Sequence, residues 1–353
     1  MLNRTNQRIN YWQYWKREKF QTNKSPYYFA YGRTALEQGL IHLHLQNTSV
    51  LVPEYICETV VKTFISLDIS IIYYPINDDL SPKWDVLETL FNENVKSILM
   101  VHYFGIPQAI NNFKKFVNSK NIFLIEDNSH GYLGVIDNLL LGTFGDIGIS
   151  SPRKSLPIIN GGMLFSKTDI SKVAELPLEP CSILIAIIRN YIGIILDCIP
   201  SLKTHLITIR NNDSNIDIKN YGIDRSSYLT IQSSKNYNKR VEIYKIWQKW
   251  SKKNSLNPLF TDIPETIAPM CFPILCNSTE QKETIMRFLG EKNIAAFSWP
   301  DLPEDLKKPS NTGLSIYNRT ICLPIHLKMN PIKMNKLLKK IKIPRVDDCN
   351  FVL

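Results

Sequence analysis

The run NIFLIED at residues 121–127 constrains the fold more than any other stretch. Its short, continuous apolar core between polar flanks predicts a strand buried in an α/β sheet. That strand delivers Asp127 at its carboxyl end, where open α/β sheets place their ligands. The chain continues NSHGYLGVIDNLLLGTFGDIGISSPRKSLPIINGGMLF to residue 165, which brings Lys154 onto a predicted turn 27 residues after Asp127.

A strand-end acid followed by a turn lysine suits pyridoxal-phosphate chemistry. A carboxylate at Asp127 would keep the pyridine nitrogen protonated and make the ring an electron sink, and Lys154 would form the Schiff base to the aldehyde. Each residue alone is weak evidence, because acids end many strands and most lysines are solvated surface charges. Their order and their neighbours strengthen the reading.

The wider series closely resembles the DegT/DnrJ/StrS-type sugar aminotransferases, pyridoxal-phosphate enzymes with the aspartate-aminotransferase fold (fold type I). YFAYGRTALEQGL (28–40) is similar to the family's Gly-Thr-Ala-Leu helix start. The resemblance implies a tight turn at Gly32, with the amides of Arg33, Thr34 and Ala35 and the Thr34 hydroxyl directed at the cofactor phosphate. TSVLVPEYICETVVKTF (48–64) resembles the family's strand, proline stop and helix, but Cys57 stands where many members stack an aromatic residue on the pyridine ring. Tyr55 or an aromatic from elsewhere then covers the ring, or its face is covered differently.

SILMVHYFGIPQAINNF (97–113) resembles the family's His-Xaa-Tyr-Gly strand end. The resemblance then assigns Asp127 to the pyridine nitrogen and His130 to the position, usually glutamine, near the ring face and cofactor hydroxyl. Around the lysine the chain is similar to a branch with a shortened Arg-Lys-Xaa-Leu-Pro loop. That shortening leaves both Ser150 and Ser151 as candidates for the phosphate-binding serine, and Asn160 replaces an acid. Relatives that deoxygenate sugars carry histidine in place of the lysine, so Lys154 implies transamination, with the freed amine acting as general acid/base.

The resemblance covers residues 28–345. It implies a large domain with a mostly parallel seven-stranded sheet, over residues 28–235, and a smaller C-terminal α/β domain over 236–353. Residues 1–27 read as an N-terminal arm, basic and rich in aromatics. A homodimer sharing its site is implied. The expected amino donor is glutamate and the expected acceptor a nucleotide-linked keto-deoxysugar, in surface polysaccharide or glycoside biosynthesis. A non-sugar carbonyl acceptor and a scaffold of the same fold without catalysis are the alternatives. Near the altered Asn-Tyr-Arg-Xaa-Ser motif of 220–250, Arg225 or Ser226 would reach the partner's phosphate, or the region is a plain surface loop and helix cap.

Composition sets the remaining expectations. The formal net charge of +10 is concentrated in MNPIKMNKLLKKIKIPR (329–345), where Met334, Leu337, Leu338 and Ile341 predict an apolar helical stripe and the lysines a solvated face. No nucleic-acid-binding motif accompanies it. Seven cysteines with no Cys-Xaa-Xaa-Cys point to a reducing cytoplasm and no structural zinc, and His42 and His44 read as ordinary helix residues. The segment CSILIAIIRNYIGIILDCIPSL (181–202) is interrupted by Arg189, Asn190 and Asp197, short of the ~18–20 apolar residues a membrane span needs. A buried helix, a dimer contact or a membrane-surface contact is expected there. In the C-terminal region, 268–275 and 319–329 read as strands and 278–294 as an amphipathic helix capped by Ser278.

Overall fold

The computed structural model describes residues 26–170 except 157 and 159, residues 223, 227, 230 and 231, and residues 238–343 except 309, 310 and 328. The expected arm before residue 26, the apolar segment 181–202, and Arg225 and Ser226 lie outside the described residues.

Strands form where the apolar runs are. They are β1 (Tyr27–Phe29), β2 (Ser49–Pro53), β3 (Ser70–Tyr74), β4 (Val95–Val101), β5 (Phe123–Asn128), the hairpin β6 (Val135–Ile136) and β7 (Leu139–Leu140), β8 (Ile147–Ser150) and β9 (Gly162–Ser166). Seven of them make one sheet in the order β1-β9-β8-β5-β4-β2-β3. The five strands from β8 to β3 pair in parallel, and only the β1–β9 and β9–β8 pairs are antiparallel. Every residue of β2 is buried, and so is all of β4 except Lys96, as expected for parallel strands covered on both faces.

The strand order reverses at β2, with β3 on one side and β4 on the other. Such a switch point opens a crevice at the carboxyl ends of the strands. Helix α1 (Gly32–His42) crosses β8 and β9 through Gly39, where a Cβ would meet Ile147 at 2.7 Å and Leu164 at 2.9 Å. This close approach sets the start of α1 beside the end of β8. Helices α2 (Glu58–Ile65), α3 (Trp84–Thr89) and α4 (Ile110–Lys120) supply further cover. His42 ends α1, whereas His44 lies beyond it with a left-handed φ of 54°, so only the first is a helix residue.

The C-terminal part contains α5 (Asn238–Lys253), β10 (Asn257–Pro258), β11 (Cys271–Leu275), α6 (Thr279–Glu291), α7 (Thr312–Arg319), β12 (Thr320–Pro324) and α8 (Pro331–Leu338). Its three strands form an antiparallel sheet over a separate core that includes Trp247, Trp250, Phe272 and Ile321. Ser278 caps α6 as predicted, accepting from the Gln281 amide. The predicted stripe in the last helix is partly wrong: Met334, Leu338 and Ile341 are buried, but Leu337 is 41% exposed and Ile341 follows the helix end. Trp250 donates its indole N–H to the Ile341 carbonyl, and this tertiary contact holds Ile341 in the core without helical continuation.

The two parts are closely joined. Leu302, Leu306 and Ile316 belong to the core of the large sheet, and backbone hydrogen bonds link Met270 to Phe104 and Glu58 to Asp301. These ties bring residues 299–306 over the carboxyl ends of β2 and β4.

Candidate active site

Side chains alternate across a strand, so β5 sends neighbouring residues to opposite faces of the sheet. Asp127 pairs in register with Val101 and Ile149, whereas Asn128 pairs with Ser150. Continued by one residue, the same alternation puts Ser151 on the Asp127 side. Asp127 is 6% exposed, and its Oδ1 accepts one hydrogen bond among the described residues, from the Ser129 amide at 2.8 Å. Lys154 ends a short 3-10 turn (Pro152–Lys154) that begins with a proline and is closed by its own amide on the Ser151 carbonyl.

Lys154 and Asp127 form no direct ion pair but interact electrostatically. Burial lowers the Lys154 amine below its ordinary value; the electrostatic influence of Asp127 and then that of Cys57 oppose this, and Arg153 adds to it. Lys154 retains accessible surface, so protein crowds the amine without sealing it from water. His130 is 3% exposed, and burial pushes its imidazole well below the usual range, with the Lys154 charge acting in the same direction. The ring is therefore neutral. Because its Nδ1 accepts from the Phe104 amide at 3.2 Å, the proton is assigned to Nε2.

The start of α1 meets two buried hydroxyls. A Cβ built on Gly32 would lie 3.7 Å from Ser151 Oγ and 3.8 Å from Ser129 Oγ, both ordinary contacts. These serines are 5% and 8% exposed, and neither hydroxyl has a hydrogen-bond partner among the described residues. Ser150 is engaged elsewhere: its Oγ meets the Asn128 amide nitrogen at 3.2 Å and donates to the Asn128 carbonyl. Gly32 has no left-handed φ, so the expected tight turn is replaced by a helix start after an extended Tyr31. The expectation for Ala35 also changes, because its amide is the first to bond within the helix, to the Tyr31 carbonyl at 3.1 Å. The amides of Gly32, Arg33 and Thr34 precede it and lack intrahelical acceptors.

Tyr55 and Cys57 follow β2. Tyr55 has no exposed surface and donates its hydroxyl to the Trp299 carbonyl, so its ring is not open to stack on a ligand. Cys57 is half-buried at the start of α2. The aromatic at this site comes instead from the C-terminal part: half-buried Trp299 packs edge-on against His130 at 4.4 Å and against Tyr55 and Phe104 at 5.5 Å. Sequence reading missed both Trp299 and Ser129. Ser129 had a usable signal, since it stands two residues after Asp127 in the turn that leaves β5; Trp299 had none.

The other face of β5 carries a second polar group. Glu126 accepts from His102 Nε2 at 2.8 Å and from the amides of Gly142, Phe144 and Gly145 at 2.6, 2.6 and 2.9 Å. His102 Nδ1 accepts from the Gln108 amide, which leaves Nε2 as the donor. Arg240 of α5 is 3% exposed and donates to the carbonyls of Ser155 and Pro269, fastening the residue after Lys154 to the strand that follows Pro269. An open groove lined by Lys245, Gln248, Thr261, Asp262, Ile263 and Pro264 lies apart from these groups. Among the described residues, no cluster of three or more potential metal ligands occurs, and no helix is long and apolar enough to cross a membrane.

Comparison with known proteins bears on the fold and on the first half of the chain. Residues 23–182 match the model of the DegT/DnrJ/EryC1/StrS aminotransferase family. GDP-perosamine synthase of Vibrio cholerae is 23% identical over 164 residues, 43% of this chain and 45% of that protein. The chain thus spans less than half the length of the curated relatives it matches. Among solved structures, the putative sugar aminotransferase Spr1654 of Streptococcus pneumoniae, in its PLP-form, superposes with a TM-score of 0.65 at 14% identity, covering 89% of this chain and 85% of that one. Helicobacter pylori PseC, an aminotransferase involved in pseudoaminic acid biosynthesis, gives 0.65 at 16% identity, covering 90% and 86%. These structures share the fold, that of pyridoxal-phosphate-dependent aminotransferases.

Proposed function

We propose, from the premise that residues 23–182 belong to the DegT/DnrJ/EryC1/StrS aminotransferase family, that this protein is a pyridoxal-phosphate-dependent aminotransferase using glutamate and a nucleotide-linked keto-deoxysugar. The observation that carries the reading is the convergence of Lys154, Asp127 and two buried serine hydroxyls, without hydrogen-bond partners among the described residues, at the start of a helix.

The residues fit the cofactor. Ser129, Ser151 and the free amides of Gly32, Arg33 and Thr34 would hold its phosphate, with the helix dipole favouring the negative charge. Asp127 would face the ring nitrogen. Neutral His130 would offer Nε2–H to a cofactor oxygen, and Cys57 with Trp299 would border the ring in place of the usual stacked aromatic. When bound, the cofactor supplies an electron sink for transfer of the amine.

The protein's own groups do the rest. Lys154 would hold the cofactor aldehyde through its amine, whose lowered pKa favours the nucleophilic neutral form. The same amine, when free, would serve as the general acid/base of the site. Asp127 would keep the ring nitrogen protonated by its opposite charge. The Glu126–His102 group on the far face holds β4 and β5 in register beneath the site.

A GDP-sugar enzyme among the relatives supports a nucleotide-linked acceptor. We place the reaction in a reducing cytoplasm, consistent with the cysteine pattern, and expect a homodimer of about twice 40.8 kDa by light scattering. Borohydride reduction of cofactor-loaded protein followed by peptide mapping should leave the phosphopyridoxyl mass on Lys154. Incubation with glutamate and a panel of nucleotide keto-sugars should aminate one of them and spare the free keto-sugar. Labelling of another lysine rejects the site, and equal amination of simple aldehydes rejects the acceptor.

A further inference from the structure

Outside the hydroxyl pair, two arginines meet on one ring. Arg33 Cζ lies 5.0 Å and Arg153 Cζ 5.6 Å from the centroid of Tyr31, the residue that precedes Gly32. Arg33 stands at the second position of α1 and Arg153 directly before Lys154. Burial is graded across this region: Ser129 and Ser151 are almost sealed, Tyr31 and Arg33 are half-buried, and Arg153 is exposed. The arginines therefore form the outer rim and the hydroxyls the inner floor.

The rim is cationic. Arg33 and Arg153 gather within this small region with Lys154, whose pKa is lowered first by burial, the Arg153 charge being a lesser contribution in the same direction. The Asp127 carboxylate opposes the lowering of the Lys154 pKa. A guanidinium resting on an aromatic face keeps its N–H donors in its own plane, where they match the oxygens of a phosphate. Arg33 makes no hydrogen bond among the described residues, so its donors remain available.

We infer that Arg33 and Arg153, mounted on Tyr31, form a second phosphate-binding site at the rim, beyond the one made by Ser129, Ser151 and the start of α1. Its ligand is a phosphate ester or diphosphate. On the aminotransferase reading, on which the identity of the ligand rests, it is the diphosphate of the nucleotide-linked acceptor. The same donors would otherwise grip the outer oxygens of the cofactor phosphate.

Four proteins test this: the wild type, Arg33→Gln, Arg153→Gln and the double variant. Calorimetry on the cofactor-loaded proteins follows GDP and dTDP, with guanosine and thymidine as phosphate-free controls. Absorbance titration of the cofactor-free proteins follows pyridoxal phosphate, with pyridoxal as control. Each single variant is expected to weaken nucleoside diphosphate binding about tenfold and the double variant more, with nucleosides and both pyridoxal forms little changed. Salt should weaken diphosphate binding less in the double variant than in the wild type. Arg33→Lys should restore the salt sensitivity but only part of the affinity, because an ammonium lacks the planar fork. If pyridoxal phosphate weakens and pyridoxal and the diphosphates do not, the rim binds the cofactor phosphate and the acceptor assignment is overturned. The site itself is overturned if no phosphorylated probe distinguishes the variants from the wild type, or if the phosphate-free controls weaken equally. Loss of diphosphate binding without any amino transfer by the wild type would instead sink the aminotransferase reading and leave the rim site standing.

Discussion

Glu126 and Asp127 are neighbours on β5, yet they serve opposite faces of the sheet in opposite ways. Glu126 has no exposed surface and accepts four hydrogen bonds, from His102 and three backbone amides. Among the described residues Asp127 accepts one, from Ser129, and it acts electrostatically on the amine of Lys154. A buried carboxylate whose acceptor sites are filled from within the chain rigidifies a fold. One left with spare capacity, beside other groups in the same condition, is poised for a ligand.

The comparison breaks most sharply at Lys154. Lys154→Ala should reduce amino transfer by at least about 10³-fold by removing the nucleophile, yet shift stability by less than ~0.5 kcal/mol because the side chain packs little. Steady-state kinetics and denaturant titration on the same preparation check both. Asp127→Asn should keep the fold and lower turnover by roughly 10²-fold, since an amide lacks the charge that holds the ring nitrogen protonated. Near-normal turnover would remove Asp127 from the chemistry.

Glu126→Gln should do the reverse. Replacing a carboxylate that serves four donors with an amide that serves fewer should cost about 2–4 kcal/mol by urea unfolding, with turnover of the folded fraction close to wild type. A stable but inactive Glu126→Gln protein would place Glu126 on the reactive side of the comparison.

Two pH effects follow on the reactive face. Pyridoxal-phosphate uptake should rise with pH through a midpoint below the lysine value of about 10.5, and lower still in Asp127→Asn, because the Asp127 charge holds the Lys154 pKa up. An upward shift in stopped-flow measurements would contradict this. For His130 the folded pKa is depressed, so the unfolded chain binds more protons between the folded value and about 6.5. Its contribution to stability is complete above pH ~6.5 and is lost as pH falls toward the folded value. Melting from pH 8 to 5 should show a decline that is smaller in His130→Gln. The smallest effect is expected from Trp299→Phe, which keeps an aromatic edge near His130: a change of about threefold or less in turnover, with reduced quenching of tryptophan fluorescence on cofactor binding. Unaltered quenching would remove Trp299 from the site.

Legibility of the site followed the range of the interactions. Asp127 and Lys154 could be singled out because a strand, a turn and their spacing are written in contiguous residues. The cap at Ser278 was equally local. The choice between Ser150 and Ser151 was not, since it depends on how β8 registers against β5, and a shift of one residue exchanges the two faces. Ala35 was misjudged for a smaller reason. The helix begins at Gly32, so the fourth amide already has an acceptor.

The sequence by itself determined the order of strands and helices, a buried acid at one strand end and a lysine after the next, because apolar period, turn residues and caps act over a few residues. Only the tertiary structure decided that Ser151 rather than Ser150 faces Gly32, that Trp299 rather than Tyr55 borders His130, and that Arg33 and Arg153 share one ring. Those contacts join residues far apart in the chain, and they exist because strand register and the packing of the C-terminal part against the large sheet place them, which no local pattern encodes.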